Sequence, residues 1–165
     1  MTSGALSPAR PPLARRDLDL PDISATAALA RALAKVSAVG DVIALAGGLG
    51  AGKTTFARHF IAARGGKDEV PSPTFTLVQI YMLPGGPVWH FDLYRIEAPY
   101  DVYELGIEDA LDEGISLIEW PERFGDLMPA TRLDLRLDIV GDGARRAALV
   151  GHGNWAERVT ALPSL

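Results

Sequence analysis

The sequence predicts a three-layer α/β fold with a mainly parallel central sheet that antiparallel hairpins extend. Residues 42–46 (VIALA) and 115–118 (ISLI) are short, predominantly apolar runs, which are typical of strands buried on both faces of a parallel sheet. The first run leads through a glycine-rich turn into a helical pattern. This order of strand, loop and helix is characteristic of α/β proteins.

Length, composition and charge exclude several classes of protein. The 165 residues, 48% of them hydrophobic, suffice for one soluble domain with a buried core. The absence of cysteine excludes a disulfide framework and a cysteine nucleophile, and three widely separated histidines make a zinc cluster improbable. The formal net charge of −5 argues against nucleic-acid binding through bulk electrostatics. Neither a signal peptide nor a long apolar run is evident, so we expect a cytoplasmic protein.

The N-terminal part divides into an arm and the start of the domain. Residues 1–16 are rich in proline, alanine and arginine without an apolar period, which predicts a flexible arm, and residues 17–165 are expected to form a single domain. Asp22 or Ser24 can cap a first helix that ends near Gly40.

The middle of the chain predicts a helix, a hairpin and another helix. After the first strand, residues 56–63 have a helical pattern. Residues 74–82 and 88–94 are rich in β-formers and are joined by the turn sequence LPGGP, which predicts a long hairpin. Another helix is expected over residues 101–111.

The C-terminal part predicts more strands. Residues 115–118 form a buried strand that ends at Glu119. Charged and apolar residues alternate over residues 132–140, which predicts a half-exposed edge strand. A Gly-Asp-Gly turn then leads into residues 145–150, the expected hairpin partner.

The glycine-rich turn predicts a phosphate-binding loop. Residues 47–54 (GGLGAGKT) fit the pattern G-x-x-x-x-G-K-[ST] between a buried strand and a helix, where that pattern has physical meaning. Its glycines let backbone N–H groups face an anion at the positive end of the helix dipole. Lys53 would lie between the β- and γ-phosphates, and the Thr54 hydroxyl would bind Mg²⁺. The expected nucleotide contacts in this segment are Gly50, Ala51, Gly52, Lys53, Thr54 and Thr55.

A phosphate-binding loop of this kind needs a carboxylate at the end of a neighbouring strand to hold Mg²⁺. Asp92 and Glu119 each follow an apolar run. Residues 115–118 look more like a central parallel strand, so Glu119 is the expected metal ligand and Asp92 a group that orients water. Either could instead be a surface carboxylate.

Three further features are ambiguous on the residues alone. The hydroxyls of residues 72–76 (SPTFT) could sense the γ-phosphate or could belong to a turn that opens a strand. Trp120 could lie against the nucleotide or fill the core, and Arg95 could be a charge-stabilising finger or a solvated side chain.

Other nucleotide-binding classes are less well supported. A small GTPase should carry an Asn-Lys-x-Asp element, yet Asn154 is the only asparagine and no lysine follows it. A small-molecule kinase should have an arginine-rich lid, but Arg123 is the only arginine between Glu119 and Ala130. The predicted hairpin also interrupts the regular alternation of strand and helix, which weakens the kinase hypothesis without removing it.

Five ordered blocks together resemble the TsaE family, bacterial P-loop ATPases of threonylcarbamoyladenosine synthesis in tRNA. The blocks are GGLGAGKTTF from residue 47, SPTFTLV from 72, HFDLYR from 90, ELG from 104 and IEWPE from 118. The resemblance extends over about residues 21–129. It implies a subunit that joins TsaD and TsaB, binds ATP or ADP with Mg²⁺, and hydrolyses ATP weakly outside the complex, while its partners grip the tRNA.

The resemblance also implies roles for individual residues. Lys53 and Thr54 become the phosphate and Mg²⁺ residues, Glu119 the second metal ligand, and Asp92 a carboxylate needed for hydrolysis. The remaining implied nucleotide contacts are Asp22, Trp120 and the switch-like segment that contains Thr74. Two alternatives stay open: a small-molecule kinase, and a nucleotide-dependent assembly switch in which hydrolysis only resets the complex.

Overall fold

The computed structural model describes residues 12–67 and 76–165, which form a sheet with helices on both faces. The strands in this part of the chain are β1 (Leu13–Leu20), β2 (Val42–Ala46), β3 (Val78–Tyr81), β4 (Val88–Asp92), β5 (Ile115–Glu119), β6 (Arg132–Gly141) and β7 (Ala144–His152). The helices are α1 (Ile23–Val36), α2 (Lys53–Ala63), α3 (Ile107–Glu113) and α4 (Trp155–Ala161), with 3₁₀ segments at Pro99–Leu105 and Pro121–Leu127. None of the helices among these residues is long and apolar enough to span a membrane.

The sheet has the strand order β1-β7-β6-β2-β5-β4-β3. β6, β2, β5 and β4 are mutually parallel, whereas β7, β1 and β3 add on as antiparallel strands. The predicted fold class is therefore confirmed, and so are the buried strands at residues 42–46 and 115–118.

The prediction that β6 is an edge strand is wrong. β6 lies between β2 and β7, and its alternating pattern arises because only one of its faces is buried. Alternation of apolar and polar residues along a strand indicates which of its faces is buried. It does not indicate whether the strand has one neighbouring strand or two.

The prediction of a flexible arm over residues 1–16 also needs correction. Leu13–Leu20 forms the edge strand β1, which pairs with β7 from Leu13 opposite His152 to Leu20 opposite Arg145. The apolar pattern is weak because most β1 side chains are exposed or half-buried, and Leu20 is the one that is fully buried. Residues 1–11 lie outside the described part of the chain.

Two apolar cores separate the three layers. Helices α1, α2 and α4 cover one face of the sheet, where Phe56, Phe60 and Trp155 are fully buried. Helix α3 and the 3₁₀ segments cover the other face around Phe91 and Phe124. Burial of each such aromatic side chain stabilises the fold by roughly 1.5–3 kcal/mol, so both cores contribute to holding β2, β4 and β5 in register.

Helix boundaries differ from the predictions where glycines adopt left-handed backbone angles. The helix expected over residues 101–111 is divided at Gly106, whose φ of 84° ends the 3₁₀ segment before α3 begins. Helix α2 begins at Lys53 rather than residue 56, directly after Gly52 with φ 106°. Helix α4 was not predicted, and it packs against β1 and β7.

Candidate nucleotide site

The glycine-rich loop lies at the carboxyl end of β2, in the middle of the parallel part of the sheet. A side chain at Gly47 would collide with the backbone carbonyl of Leu137 on β6, so only glycine fits where β2 leaves the sheet. The loop then leads directly into α2, which begins at Lys53 immediately after Gly52. This is the geometry that binds anions at a helix N-terminus.

Lys53 is held under the loop and is only 5% exposed. Its Nζ donates to the carbonyl oxygens of Gly47 and Gly48, the latter at 3.0 Å, and lies 3.9 Å from the ring centroid of Trp120. Burial lowers the pKa of Lys53, and the nearby carboxylates of Glu119, Glu122 and Asp92 oppose that shift. Carbonyl groups and an aromatic face therefore fix the position of this cation.

Thr54 and Glu119 are in direct contact at the start of α2. The Thr54 hydroxyl lies 3.0 and 3.1 Å from the two carboxylate oxygens of Glu119, which is 3% exposed at the end of β5. One of those oxygens lies 2.7 Å from Nε2 of His90, a fully buried residue of β4. The hydrogen bond with the imidazole fixes the carboxylate that faces the hydroxyl.

Asp92 ends β4 directly beside Glu119. The two residues are partners in the parallel ladder between β4 and β5, and Asp92 is 5% exposed. Its carboxylate accepts a hydrogen bond from the backbone N–H of Tyr94 at 3.1 Å. Adjacent parallel strands thus bring the two predicted carboxylates to one edge of the sheet.

The donor set fits Mg²⁺. Hydroxyl and carboxylate oxygens are the hard ligands that this cation takes, and Mg²⁺ normally keeps waters and substrate phosphates in its remaining positions. The buried Glu119 carboxylate already directs both oxygens at the Thr54 hydroxyl. Across residues 12–67 and 76–165, no group of three or more histidine or acidic side chains could hold a metal ion.

An open cleft of about 330 Å³ joins these groups. It brings together the predicted Gly50, Ala51, Gly52, Lys53, Thr54, Thr55, Asp92, Glu119 and Trp120, and its other lining residues are Ile23, Thr26, Gly48, Leu49, Gly143 and Arg145. A volume of this size is in the range of small-ligand sites. The first turn of α1 and the β6–β7 turn complete its walls.

Two predicted nucleotide contacts are not in that lining. Asp22 caps α1, where its Oδ1 accepts a hydrogen bond from the N–H of Ala25 at 2.9 Å, and its neighbour Ile23 lines the cleft instead. Thr74 falls outside the described residues.

Trp120 has a strained backbone at the mouth of the cleft. Its φ of 58° and ψ of 54° are left-handed values that bulky residues seldom adopt. Its ring packs against Tyr94 at 4.9 Å between centroids and also covers the Lys53 ammonium. The turn after β5 therefore holds an aromatic side chain over the ammonium group of Lys53.

Sequence reasoning missed His90 and Arg145 as site residues. His90 stands two positions before Asp92 in a strand whose side chains are otherwise mostly apolar, and that position was a usable signal. Arg145 donates from Nε to the Ala51 carbonyl at 2.9 Å and from Nη2 to the Gly50 carbonyl at 3.1 Å. No local pattern reveals a contact between residues more than 90 positions apart.

Comparison with known proteins gives consistent matches. The family model described as "Threonylcarbamoyl adenosine biosynthesis protein TsaE" matches residues 20–147. A tRNA threonylcarbamoyladenosine biosynthesis protein TsaE of Rickettsia typhi is 41% identical over 110 residues, covering 66% of this chain and 76% of the relative. The protein of the same name from Bacillus subtilis is 35% identical over 133 residues, covering 80% of this chain and 83% of the relative.

A solved structure is similar over nearly the full chain. The crystal structure of Bacillus subtilis YdiB superposes with a TM-score of 0.74 at 28% identity, covering 90% of this chain and 93% of that one. The similarity thus extends well beyond the glycine-rich loop, to most of the chain.

Proposed function

Because the chain belongs to the TsaE family, whose role is in the biosynthesis of threonylcarbamoyladenosine in tRNA, we propose that it binds and slowly hydrolyses ATP with Mg²⁺. The observation that carries this proposal is the direct contact between the Thr54 hydroxyl and the buried Glu119 carboxylate beside Lys53. A hydroxyl, a carboxylate and a cation in this arrangement fit a metal-bound triphosphate.

Catalysis in such a site consists of positioning and charge neutralisation. The N–H groups of the loop and Lys53 would bind the β- and γ-phosphates. Thr54 and Glu119 would hold Mg²⁺, which would neutralise charge on the phosphate oxygens. Asp92 would orient the attacking water, and His90 fixes Glu119 through the hydrogen bond with its imidazole.

We further propose that the chain acts as a subunit with TsaD and TsaB. The formal net charge of −5 supports an indirect relation to tRNA, in which the partners provide the contacts to RNA. Slow hydrolysis by the isolated chain would follow from the open side of the cleft, where a bound triphosphate would stay in contact with water until a partner covers it.

The test is to measure phosphate release by the purified chain alone and with TsaB and TsaD, together with threonylcarbamoyl transfer to tRNA. We expect stimulated hydrolysis and ATP-dependent modification in the mixture. If no complex forms and hydrolysis stays unchanged, the partnership is wrong. Phosphorylation of a small acceptor in amounts equal to the ATP consumed would favour the kinase alternative.

A variant that binds ATP but does not hydrolyse it distinguishes a role for hydrolysis from a role for ATP binding alone. A variant that binds ATP without turnover should support at most one round of modification per complex. Repeated rounds with such a variant would show that binding alone drives the reaction, as an assembly switch requires.

A further inference from the structure

We propose that Arg145 of β7 is a positioning residue that presets the phosphate-binding loop and adds positive charge beside it. The inference rests on the proposed nucleotide site, and it assigns a role in that site to a side chain from the C-terminal hairpin. Three observations support it: its contacts with the loop, its place in the sheet, and the lack of an acidic partner within residues 12–67 and 76–165.

The contacts join the arginine to two consecutive peptide groups of the loop. Nε donates to the carbonyl of Ala51 at 2.9 Å and Nη2 to the carbonyl of Gly50 at 3.1 Å, while Nη1 donates to the carbonyl of Ala144 at 2.9 Å. All three guanidinium nitrogens are thus used. A planar fork of donors suits two neighbouring carbonyls in a way that a single ammonium cannot reproduce.

These contacts determine which way the loop N–H groups point. In a trans peptide the C=O and the N–H point in opposite directions. A bond to the Ala51 carbonyl therefore directs the N–H of Gly52 away from Arg145, and the bond to Gly50 does the same for the N–H of Ala51. The N–H of Ala51 donates to the carbonyl of Gly48 at 3.2 Å, a hydrogen bond within the loop.

The sheet fixes the base of the arginine. Arg145 lies opposite Ile139 of β6 on one side and opposite Leu20 of β1 on the other, so its backbone is anchored by both neighbouring strands. The next residue, Arg146, alternates to the other face, where it pairs with the exposed Asp19. The two adjacent arginines therefore form a natural pair of test and control positions.

Arg145 makes no salt bridge with the described residues, and it lines the same cleft as Lys53 and Thr54. Its charge is bound to neutral carbonyls rather than to a carboxylate, so it remains available to attract an anion. In a cleft that also contains Asp92 and Glu119, this charge offsets part of the repulsion that a polyphosphate would meet.

The experiment compares Arg145→Ala, Arg145→Lys and Arg146→Ala in the full chain. Hydrogen exchange of peptides covering residues 47–54 is measured without nucleotide, and affinity is measured with a fluorescent ATP analogue. For Arg145→Ala we expect faster loop exchange and about tenfold weaker binding, because a loop that is no longer held in place must be ordered when the nucleotide binds. Arg146→Ala should change neither quantity.

Arg145→Lys separates positioning from charge. It keeps the charge but can bond only one carbonyl at a time, so loop exchange should stay fast and affinity should recover only in part. Full recovery of affinity, or loop exchange in Arg145→Ala equal to that of the unmodified chain, would overturn the positioning role. Failure of the unmodified chain to bind ATP would refute the proposed function. Hydrogen exchange is measured without nucleotide, so it tests the positioning role of Arg145 in either case.

Discussion

Single charged side chains of the cleft lie where little water reaches them. Lys53 and Glu119 are almost fully buried, and each is compensated by specific partners rather than by solvent. Partners repay only part of the free energy that burial of a charge costs, so we expect these residues to lower the stability of the fold while favouring nucleotide binding.

Replacement of Lys53 by methionine should test that balance. Because burial lowers the pKa of Lys53, the unfolded chain binds more protons than the folded chain between the two pKa values, and stability rises with pH across that interval. Lys53→Met should remove this rise, unfold at no lower urea concentration than the unmodified chain at pH 7, and weaken ATP binding at least about tenfold.

The measurements are urea unfolding at pH 7 and pH 10 and titration with ATP. Lys35→Met, at the exposed end of α1, is the control for the loss of a lysine. A Lys53→Met protein that is clearly less stable at pH 7 would show that the contacts with Gly48 and Trp120 outweigh the cost of burial.

Replacement of Glu119 by glutamine should separate metal binding from folding. The amide oxygen can still accept a hydrogen bond from Thr54, but the side chain loses the charge that Mg²⁺ requires. We expect unchanged thermal stability within a few degrees and Mg²⁺-dependent phosphate release reduced about 10–100-fold. Glu113→Gln, an exposed site just before β5, is the control, and equal turnover in Glu119→Gln would transfer the metal role to Asp92.

At the scale of elements, helix α1 connects the edge strand to the wall of the cleft. Asp22 caps the helix, and Ile23 and Thr26 in its first turn line the cleft. Hydrogen bonds from the Ser24 hydroxyl and the Ala25 N–H lower the pKa of Asp22. The ionised carboxylate is thus the form that the helix end stabilises.

The cap should make helix stability depend on pH. The contribution of Asp22 is present above the pKa of the unfolded chain, and it is lost as pH falls through the lowered pKa of the folded chain. The difference in melting temperature between the unmodified chain and Asp22→Ala should therefore shrink between pH 7 and strongly acidic pH. Asp22→Asn, which keeps an acceptor without a charge, should show a smaller difference from the unmodified chain at pH 7, and that difference should also shrink at acidic pH, whereas the Asn and Ala variants should differ from each other by the same amount at every pH. A constant Asp22→Ala difference would contradict the assignment.

At the scale of the whole molecule, β1 forms one edge of the sheet and contributes to the core under α1 and α4. Leu20 at the end of this strand is 1% exposed, whereas Leu13 at its start is 65% exposed. Because β1 also pairs with β7, it supports the strand that presents Arg145 to the loop. The N-terminal strand is therefore part of the framework of the site.

Leu20 and Leu13 should differ sharply in their effect on stability. Leu20→Ala should lower the free energy of unfolding by about 2–5 kcal/mol because it leaves a cavity in the core. Leu13→Ala should change it by less than about 0.5 kcal/mol. Urea unfolding of both variants is the measurement, and similar small effects would mean that β1 is not anchored through its buried end.

The sequence by itself determined the parts that depend on local chemistry. The glycine-rich loop, the strands β2 and β5, a helix start at Asp22 or Ser24 and the two carboxylates at strand ends are all read from residues close together in the chain. Apolar periodicity, glycine backbone freedom and capping act over a few residues, which is why these elements could be predicted.

Only the tertiary structure decided which distant residues meet. The interior position of β6, the pairing of β1 with β7, the contact of His90 with Glu119 and the contacts of Arg145 with the loop depend on strand order and register. The same alternating pattern fits an edge or an interior strand, and an arginine bound to carbonyls has no characteristic neighbours in sequence. The strand order brings these residues together from distant parts of the chain, and short-range sequence patterns carry no information about that order.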